Sequence, residues 1–482
     1  MIGLLQRQVA AAETRAEAAE ARAERAEAQA AELAVANERL TSRVAELERR
    51  LGRNSGNSSM PPSSDTFGRP EKKPTPRSGR KRGRQPGAGG SGLSMVADPD
   101  VTADHLPAAC TGCGGALGQS DSVGFERRQV RDIPLATVTV TEHRAHRCRC
   151  ACGTVTAEPM PAEVAGAPSS YGPNLRALAV YLLVFQHVPV ERTAQLIADV
   201  TGAEVSTGWV ASLLPQAAGL VTDSLNLIRA LLVMGHILHA DETTTRIGSV
   251  RRWLHVACTD FLTLLHLAPR SRKGADAGGI LPHYRGVLVH DSLSLYAGYD
   301  AAAHQLCGAH LIRELTAAKE DFPDEHWHQQ IRWALAGLNR QAVRVRKGEI
   351  AEIAPAALLL HYEAFHRGVT VGLSLHPRAP GRKQTPARNL LQRLSDQAHD
   401  ILRFADDPLH VPFTNNCGER ALRPVKTQLK ISGCHQSDTG AAAWLDVRSY
   451  LDSARKHGLN AFEAIHRAFT GNLWMPPIVQ NP

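Results

Sequence analysis

The sequence predicts an α/β protein behind a long N-terminal helix. Three observations lead there. Residues 2–51 carry an unbroken heptad repeat, the short apolar strands Gly235–Asp241 and Val287–Asp291 both end in Asp, and amphipathic helical patterns fill much of the rest. The 482 residues allow two to four domains, and 43% hydrophobic with 21% charged residues is globular composition. No uncharged apolar run approaches the ~18–20 residues of a bilayer span, and residues 1–10 lack the basic start and apolar stretch of a secretory signal. A soluble cytoplasmic protein with no membrane partner is expected. Nine Cys, five of them within Cys110–Cys152, suit a reducing compartment and one metal site better than a disulfide framework.

In the heptad, position a holds Ile2, Val9, Ala16, Ala23, Ala30, Asn37, Val44 and Leu51, and position d holds Leu5, Ala12, Ala19, Ala26, Leu33, Leu40 and Leu47. Position g carries Arg15, Arg22 and Arg43, and the e positions five residues on carry Glu20, Glu27 and Glu48. A parallel pair would set each Arg against a Glu of the other chain, so a parallel homodimer is expected, with Asn37 fixing register.

Gly52 ends the helix, and Pro, Gly and Ser dominate to Gly92, which reads as a flexible linker over 52–95. The chain has 55 Lys/Arg against 47 Asp/Glu, a net charge of +8, and eight Lys/Arg against the single acid Glu71 lie between Arg69 and Gly87. The run with Arg77, Arg80, Lys81, Arg82 and Arg84, interleaved with Gly, suits phosphate contacts, so DNA is the expected partner.

Cys110-x-x-Cys113-Gly114 and Cys148-Arg-Cys150-Ala-Cys152-Gly153 suit two knuckles around one structural Zn²⁺. Cys110, Cys113, Cys150 and Cys152 are the expected ligands. Cys148 is the alternative to Cys150, and His143 or His146 could replace a sulfur. Arg127–His146 alternates like a hairpin between the knuckles. Residues 170–233 read as helices; Gly202 closes one and Ser206 opens the next, either as a helix-turn-helix or as a spacer packed on the domain that follows.

After the strand ending in Asp241 come two alternating stretches, Arg252–Cys258 and Leu262–Leu267, a short helix within 271–284, and the strand ending in Asp291. Three antiparallel strands, a helix and a parallel strand give the ribonuclease-H-like order, in which Asp241 and Asp291 meet. Glu419, among Arg420, Arg423, Lys426 and Lys430, supplies a third acid within a phosphate-handling surface. Three acids from separate elements suit two Mg²⁺ (or Mn²⁺) ions about 3.5–4 Å apart, the arrangement for in-line phosphoryl displacement. The 127 residues between Asp291 and Glu419 imply a helical insertion at about 312–408, and Ala441–Phe469 reads as two further helices.

The segments "LGRNSGNSSMPPSSD", "GRKRGRQPG", "HADETTTRI", "HDSLSLY", "CGAHLIREL" and "NNCGERALRPVKTQLKISG" resemble, in order, the blocks of insertion-sequence-66 family transposases. The resemblance spans nearly the whole chain. It implies a DDE catalytic core with Asp241, Asp291 and Glu419 as metal ligands, and Asn415 and Lys426 as DNA-phosphate contacts. It also implies transposon ends and target DNA as substrates, with helper proteins of the same element as further partners. Cys307-Gly-Ala-His310 matches a Cys-x-x-His block, read as a structural pair at a helix start, with a second metal site as the sharper alternative. Gly418 departs from the commoner Ala, and Gly weakens a helix by ~1 kcal/mol.

The expected divisions are 1–51, parallel coiled coil; 52–95, basic linker; 96–165, zinc-finger-like DNA-binding module; 166–233, helical segment; 234–440, ribonuclease-H-like catalytic domain with its insertion; and 441–482, C-terminal helices. A transposase cutting and joining DNA is the leading expectation. The alternatives are an inert or domesticated DNA-binding relative and a nuclease without strand transfer.

Overall fold

A computed structural model of the chain describes residues 2–53, 93–133, 136–161, 164 and 166–478. The basic run with Arg77, Arg80, Lys81, Arg82 and Arg84 lies outside the described residues.

Helix α1 (Ile2–Leu51) is continuous over the whole heptad repeat. Its C-terminal seam residues Leu33, Leu40, Val44 and Leu47 are exposed, as an amphipathic face without a second helix must be. Arg43 pairs with Glu46 on its own helix at 2.7 Å.

Between Arg127 and His146 the expected hairpin is not formed. The described residues there lie in no ladder, and Val130, Ile133 and Val140 are exposed. Strand pairing instead begins at β1 (Arg147–Arg149), antiparallel to β2 (Val155–Ala157). Alternation alone predicted a strand there, but an alternating apolar face needs a surface to cover, and this small module offers none.

Helices α2 (Pro173–Val180), α3 (Val190–Thr201), α4 (Thr207–Leu220) and α5 (Thr222–Met234) follow, with a π-turn over Tyr181–Phe185 after α2. The expected punctuation is present. Gly202 adopts φ +74° at the end of α3, a left-handed conformation that favours glycine, and the Ser206 hydroxyl accepts the Trp209 N–H at 3.1 Å at the start of α4. Helix α4 carries no Lys or Arg, and its exposed positions are Thr207, Gly208, Ala211, Ser212, Pro215, Gln216, Gly219 and Leu220. Its other side buries Val210, Leu213 and Ala217 against the helix Asp438–Lys456 and its neighbours. That packing suits the spacer reading of this segment. An uncharged, Pro-containing face is poorly suited to enter a DNA groove lined by phosphates.

The central sheet runs β5 (Thr263–Leu267), β4 (Val250–Cys258), β3 (Ile237–Ile247), β6 (Val287–His290) and β7 (Ala303–Leu306). The first three strands in chain order are antiparallel, and β6 and β7 then add in parallel. The fifth strand, β7, was not read from sequence; at four residues, Ala-His-Gln-Leu, it is too short to show a period. Helix α6 (Arg272–Asp276) is a single short turn of helix between β5 and β6.

The insertion is helical throughout: α7 (Gly308–Asp321), α8 (Trp327–Arg346), α9 (Pro355–Leu375), α10 (Pro386–Asp396) and α11 (Ala398–Asp406). It has its own core around Trp327, Ile331, Leu335, Phe365, Leu391 and Phe404, continuous with the β6–β7 edge through Val287 and Leu306. The chain then returns to the sheet as α12 (Asn416–Ile431) and ends with α13 (Asp438–Lys456) and α14 (Ala461–Phe469).

The second core joins helices α2–α5, the sheet, α12, α13 and α14, with Ile197, Leu213, Ile228, Leu254, Leu288 and Tyr450 all buried in it. The boundaries drawn at 233 and 440 therefore do not separate independent cores. The reason is visible at the sheet edge. Ser449 and Ser453, one turn apart on α13, accept the outward N–H groups of Leu265 and Thr263 at 2.9 Å each. Lys456 Nζ reaches the carbonyls of Thr259 and Leu262 at 2.6 and 2.9 Å. A bare edge strand invites pairing with another chain, and this one is closed by a helix. Ser449→Ala and Ser453→Ala should each lower stability by about 1–3 kcal/mol, the penalty for a buried orphan N–H. Thermal unfolding of the full chain checks this, and an unchanged midpoint in the double variant would refute it.

Among the described residues no single helix is long and apolar enough to cross a membrane; the bent pair α4–α5 has the composition, but its apolar face lies in the core.

Candidate active site

Strand register makes the site. Leu238 pairs with Leu288 and His239 with Val289. Carrying that register two residues on sets Asp241 beside Asp291, so residues fifty apart in sequence meet where β6 ends; the strand expected to stop at Asp241 instead runs on to Ile247 in its ladder with β4, which leaves Asp241 mid-strand. Helix α12 lies across β3 and β4 and brings Glu419 to the same place.

Electrostatics record the convergence. Burial raises the Asp241 carboxyl well above the usual range, and the charges of Asp291, Glu242 and Glu419 raise it further. The N–H of Glu242 donates to Asp241 Oδ1 at 2.8 Å and opposes the shift. Burial, with Glu242, lifts Asp291 to about 6, and the Leu293 N–H donates to its Oδ1 at 3.0 Å. Several carboxylates gathered in a buried place, with Arg270 and Arg393 only partly opposing the rise at Asp291, fit a divalent metal site.

The three acids are not packed as one tight ligand group. Among the described residues, the donor sets lying within 4.8 Å of one another are Cys307–His310–Glu419 and His236–Asp407–His410.

Glu242 is a part of the site that sequence reasoning did not single out. Its side chain is only 3% exposed and is held by Arg270 Nη2 at 2.7 Å and by the Tyr296 hydroxyl, which donates at 2.8 Å. Arg270 in turn lies over the Trp253 ring at 4.5 Å. Burial and the nearby acids hold the Tyr296 phenol protonated, far above its ordinary range. The signal was present in "HADE", where an acid follows Asp241 directly, on the opposite face of the strand.

Asn415 requires a correction. It was expected to touch DNA phosphate, but it is 1% exposed. Its Nδ2 donates to the Ala240 carbonyl at 2.8 Å, and its Oδ1 meets His239 Nδ1 at 2.9 Å. Its backbone N–H donates to Cys307 Sγ at 3.2 Å. Asn415 stands at the N-cap of α12 yet its side chain caps nothing there; it ties the helix start to the strand that carries Asp241. Burial lowers the His239 pKa, so its imidazole is neutral and suits that shared hydrogen bond.

Lys426 is also turned inward. Its ammonium donates to the Thr244 carbonyl at 2.7 Å and is half-buried, fixing the middle of α12 on β3. Arg420, Arg423 and Lys430 are exposed, so the basic face read from sequence survives in those three. Gly418 explains its departure from Ala: a Cβ there would lie 3.0 Å from Asn415 Oδ1 and 3.3 Å from Asp241 Cβ. The glycine lets α12 settle directly on β3 beside Asp241.

In the small module, Cys110 N–H donates to Gly115 O and Gly114 N–H to Cys110 O, with Gly114 at φ +76°. The second knuckle repeats this around Cys150: Cys150 N–H to Thr154 O, Gly153 N–H to Cys150 O, and Gly153 at φ +92°. Cys148 stands instead on β1, paired with Thr156. The Thr154 hydroxyl and N–H, with Cys150, lower Cys152 to about 7, the direction that suits a metal-binding thiolate. The two knuckles do not bring their sulfurs within 4.8 Å of one another as one set.

A family model described as "Transposase IS66 family" matches residues 168–443, more than half of the chain. The chain belongs to the IS66 family of transposases. A "zinc-finger binding domain of transposase IS66" matches residues 107–153, which covers both knuckles of this transposase, and a family of unknown function (DUF6444) matches residues 8–94. No curated protein matches the chain. The zinc-finger match supports a structural zinc in the module, and the larger match places the carboxylate cluster inside the transposase domain.

Proposed function

We propose that this transposase cuts and joins DNA through a ribonuclease-H-like core in which Asp241, Asp291 and Glu419 hold two Mg²⁺ (or Mn²⁺) ions. The observation carrying the proposal is the buried meeting of Asp241, within β3, with Asp291 at the end of β6, with Glu419 close enough to raise the Asp241 carboxyl. When bound, the ions would activate an attacking oxygen and neutralise the leaving one. The chain's own part is to hold the acids rigidly. Asn415 and Lys426 fasten α12 to β3, Gly418 permits close approach, and Arg270 with Tyr296 keeps Glu242 fixed beside the cluster. Arg420, Arg423 and Lys430 supply the exposed positive charge for a DNA backbone.

No Ser or Tyr nucleophile is required. Water attack frees a 3′-OH at the transposon end, and that hydroxyl then attacks target DNA. Zinc is held by Cys110, Cys113, Cys150 and Cys152, since Cys150 rather than Cys148 stands in the second knuckle turn. Helix α1 forms the parallel dimer seam, and the basic linker holds DNA nonspecifically.

The test is strand transfer with purified protein, Mg²⁺ and a labelled transposon-end duplex. Wild type should give joined product and Glu419→Gln none, a loss of about 10²–10³-fold or more, as for removal of one preorganised charge-stabilising group. Equal product from both would overturn the assignment of Glu419. Binding without cleavage in both would favour the inert reading.

A further inference from the structure

The Cys307–His310 pair is not used by the reaction described above. Cys307 follows β7 as the N-cap of α7 and His310 lies three residues on, so both face the same side of the α7 start. Cys307 is buried, and His310 Nδ1 is buried without a hydrogen-bond partner. That nitrogen lies 4.0 Å from Glu419 Oε1, too far for a hydrogen bond, and the three donor atoms all lie within 4.8 Å of one another.

The neighbours hold these donors in place. Gly308 N–H donates to Phe413 O at 2.8 Å, and a Cβ on Gly308 would strike the Phe413 ring. The start of α7 is thus clamped to the segment that leads into α12. Burial pushes the Cys307 thiol up, while the backbone N–H groups of Asn415, His310 and Ala309 oppose this by favouring the thiolate.

We propose that Cys307 Sγ, His310 Nδ1 and Glu419 Oε1 form a second zinc-class site, separate from the knuckle module, with a fourth position open to water. Thiolate, imidazole and carboxylate together select a borderline-soft divalent cation over Mg²⁺, which wants oxygen alone. A buried imidazole nitrogen without a hydrogen-bond partner, 4.0 Å from a carboxylate oxygen and within 4.8 Å of a buried thiol, is at roughly the separation that an intervening ion would span. Binding releases the Cys307 thiol proton to solvent and leaves the ion held by the thiolate. The ion would pin Glu419 through one oxygen, tying α7 to α12 across the catalytic cluster. The proposal needs only these three donors and does not depend on the two-Mg²⁺ reading.

The experiment counts zinc in the full chain. Protein stripped with chelator, reloaded with Zn²⁺ and dialysed against excess Mg²⁺ is assayed for bound zinc, with circular dichroism confirming the fold. Wild type is expected to hold about two equivalents. Cys307→Ser and His310→Gln should each hold one fewer, and the double variant Cys110→Ser/Cys113→Ser should also lose one, from the other site. Cys307→Ser is nearly isosteric, and His310→Gln serves if it fails to fold. Zinc content equal to wild type in both variants would overturn the proposal, whatever the outcome of strand transfer. Loss of joining in Glu419→Gln alongside unchanged zinc in Cys307→Ser would keep the catalytic reading and remove this one.

Discussion

Asp291→Asn is expected to abolish metal-dependent cleavage while leaving DNA binding intact, and to make the metal-free protein more stable at neutral pH. Both effects come from one fact: burial and Glu242 raise the Asp291 carboxyl to about 6. A raised carboxyl pKa means that the folded state holds its proton longer than the unfolded chain does. Stability from this group is therefore full below the ordinary carboxylate range and is lost as pH climbs from about 4 through about 6. The loss is on the order of 3 kcal/mol for a shift of this size. Asn carries no charge to bury, so the variant should escape it. Denaturant unfolding of metal-free wild type and variant between pH 4 and 8 checks the sign. The curves should converge near pH 4 and separate above 6, with the variant the more stable. Added Mg²⁺ should stabilise wild type above pH 6 and leave the variant unmoved. A variant less stable than wild type at pH 7 would show that Asp291 is held by partners and is not strained by neighbouring charge.

That strain was legible in the sequence only in outline. Two strands ending in Asp could be read because each is an apolar run with a terminal acid, and their meeting followed from strand order. The register, Leu238 with Leu288 and His239 with Val289, supports the meeting, but only β6 stops at its Asp; β3 runs on to Ile247 because β4 continues to pair with it. Helix ends were legible wherever one residue decides them, as at Gly202 and Ser206. Legibility failed where a side chain had two chemically reasonable destinations. An amide and a cation near Glu419 suit DNA phosphate as well as they suit a strand carbonyl, and spacing on α12 does not choose. Asn415 and Lys426 both went inward because the helix must be fastened to β3 before Glu419 can be placed. Glu242 was missed for a related reason: one residue past Asp241 on a strand is the opposite face, and only tertiary structure brings Arg270 and Tyr296 there. The fastening of α13 to the β5 edge was equally hidden, since Ser449 and Ser453 read as ordinary helix residues until the bare N–H groups of Leu265 and Thr263 are seen opposite them.

The inward placement of Asn415 has a consequence that separates it from a phosphate contact. Asn415→Ala removes a donor from the Ala240 carbonyl and an acceptor from His239, both in a fully buried place. Each orphaned group costs about 1–3 kcal/mol, so a loss of roughly 2–5 kcal/mol is expected. The start of α12 would also be freed relative to β3, so Glu419 would be misplaced at the carboxylate cluster. The turnover of bound transposon-end DNA should fall by about 10²-fold, the order expected for a misplacement near 1 Å. Affinity for DNA and the slope of its salt dependence should be unchanged, because no phosphate contact is removed. A phosphate-binding Asn415 would give the reverse: near-normal stability and weaker binding. Asn415→Asp sharpens the distinction. It keeps an acceptor for His239 but presents no amide donor to Ala240, and it adds a negative charge beside Asp241. Its stability should therefore fall as pH rises and the new carboxyl ionises, a dependence that an exposed, phosphate-facing Asp would not show. Unfolding free energy, single-turnover cleavage and salt-titrated binding, measured on the same preparations, decide between the two placements.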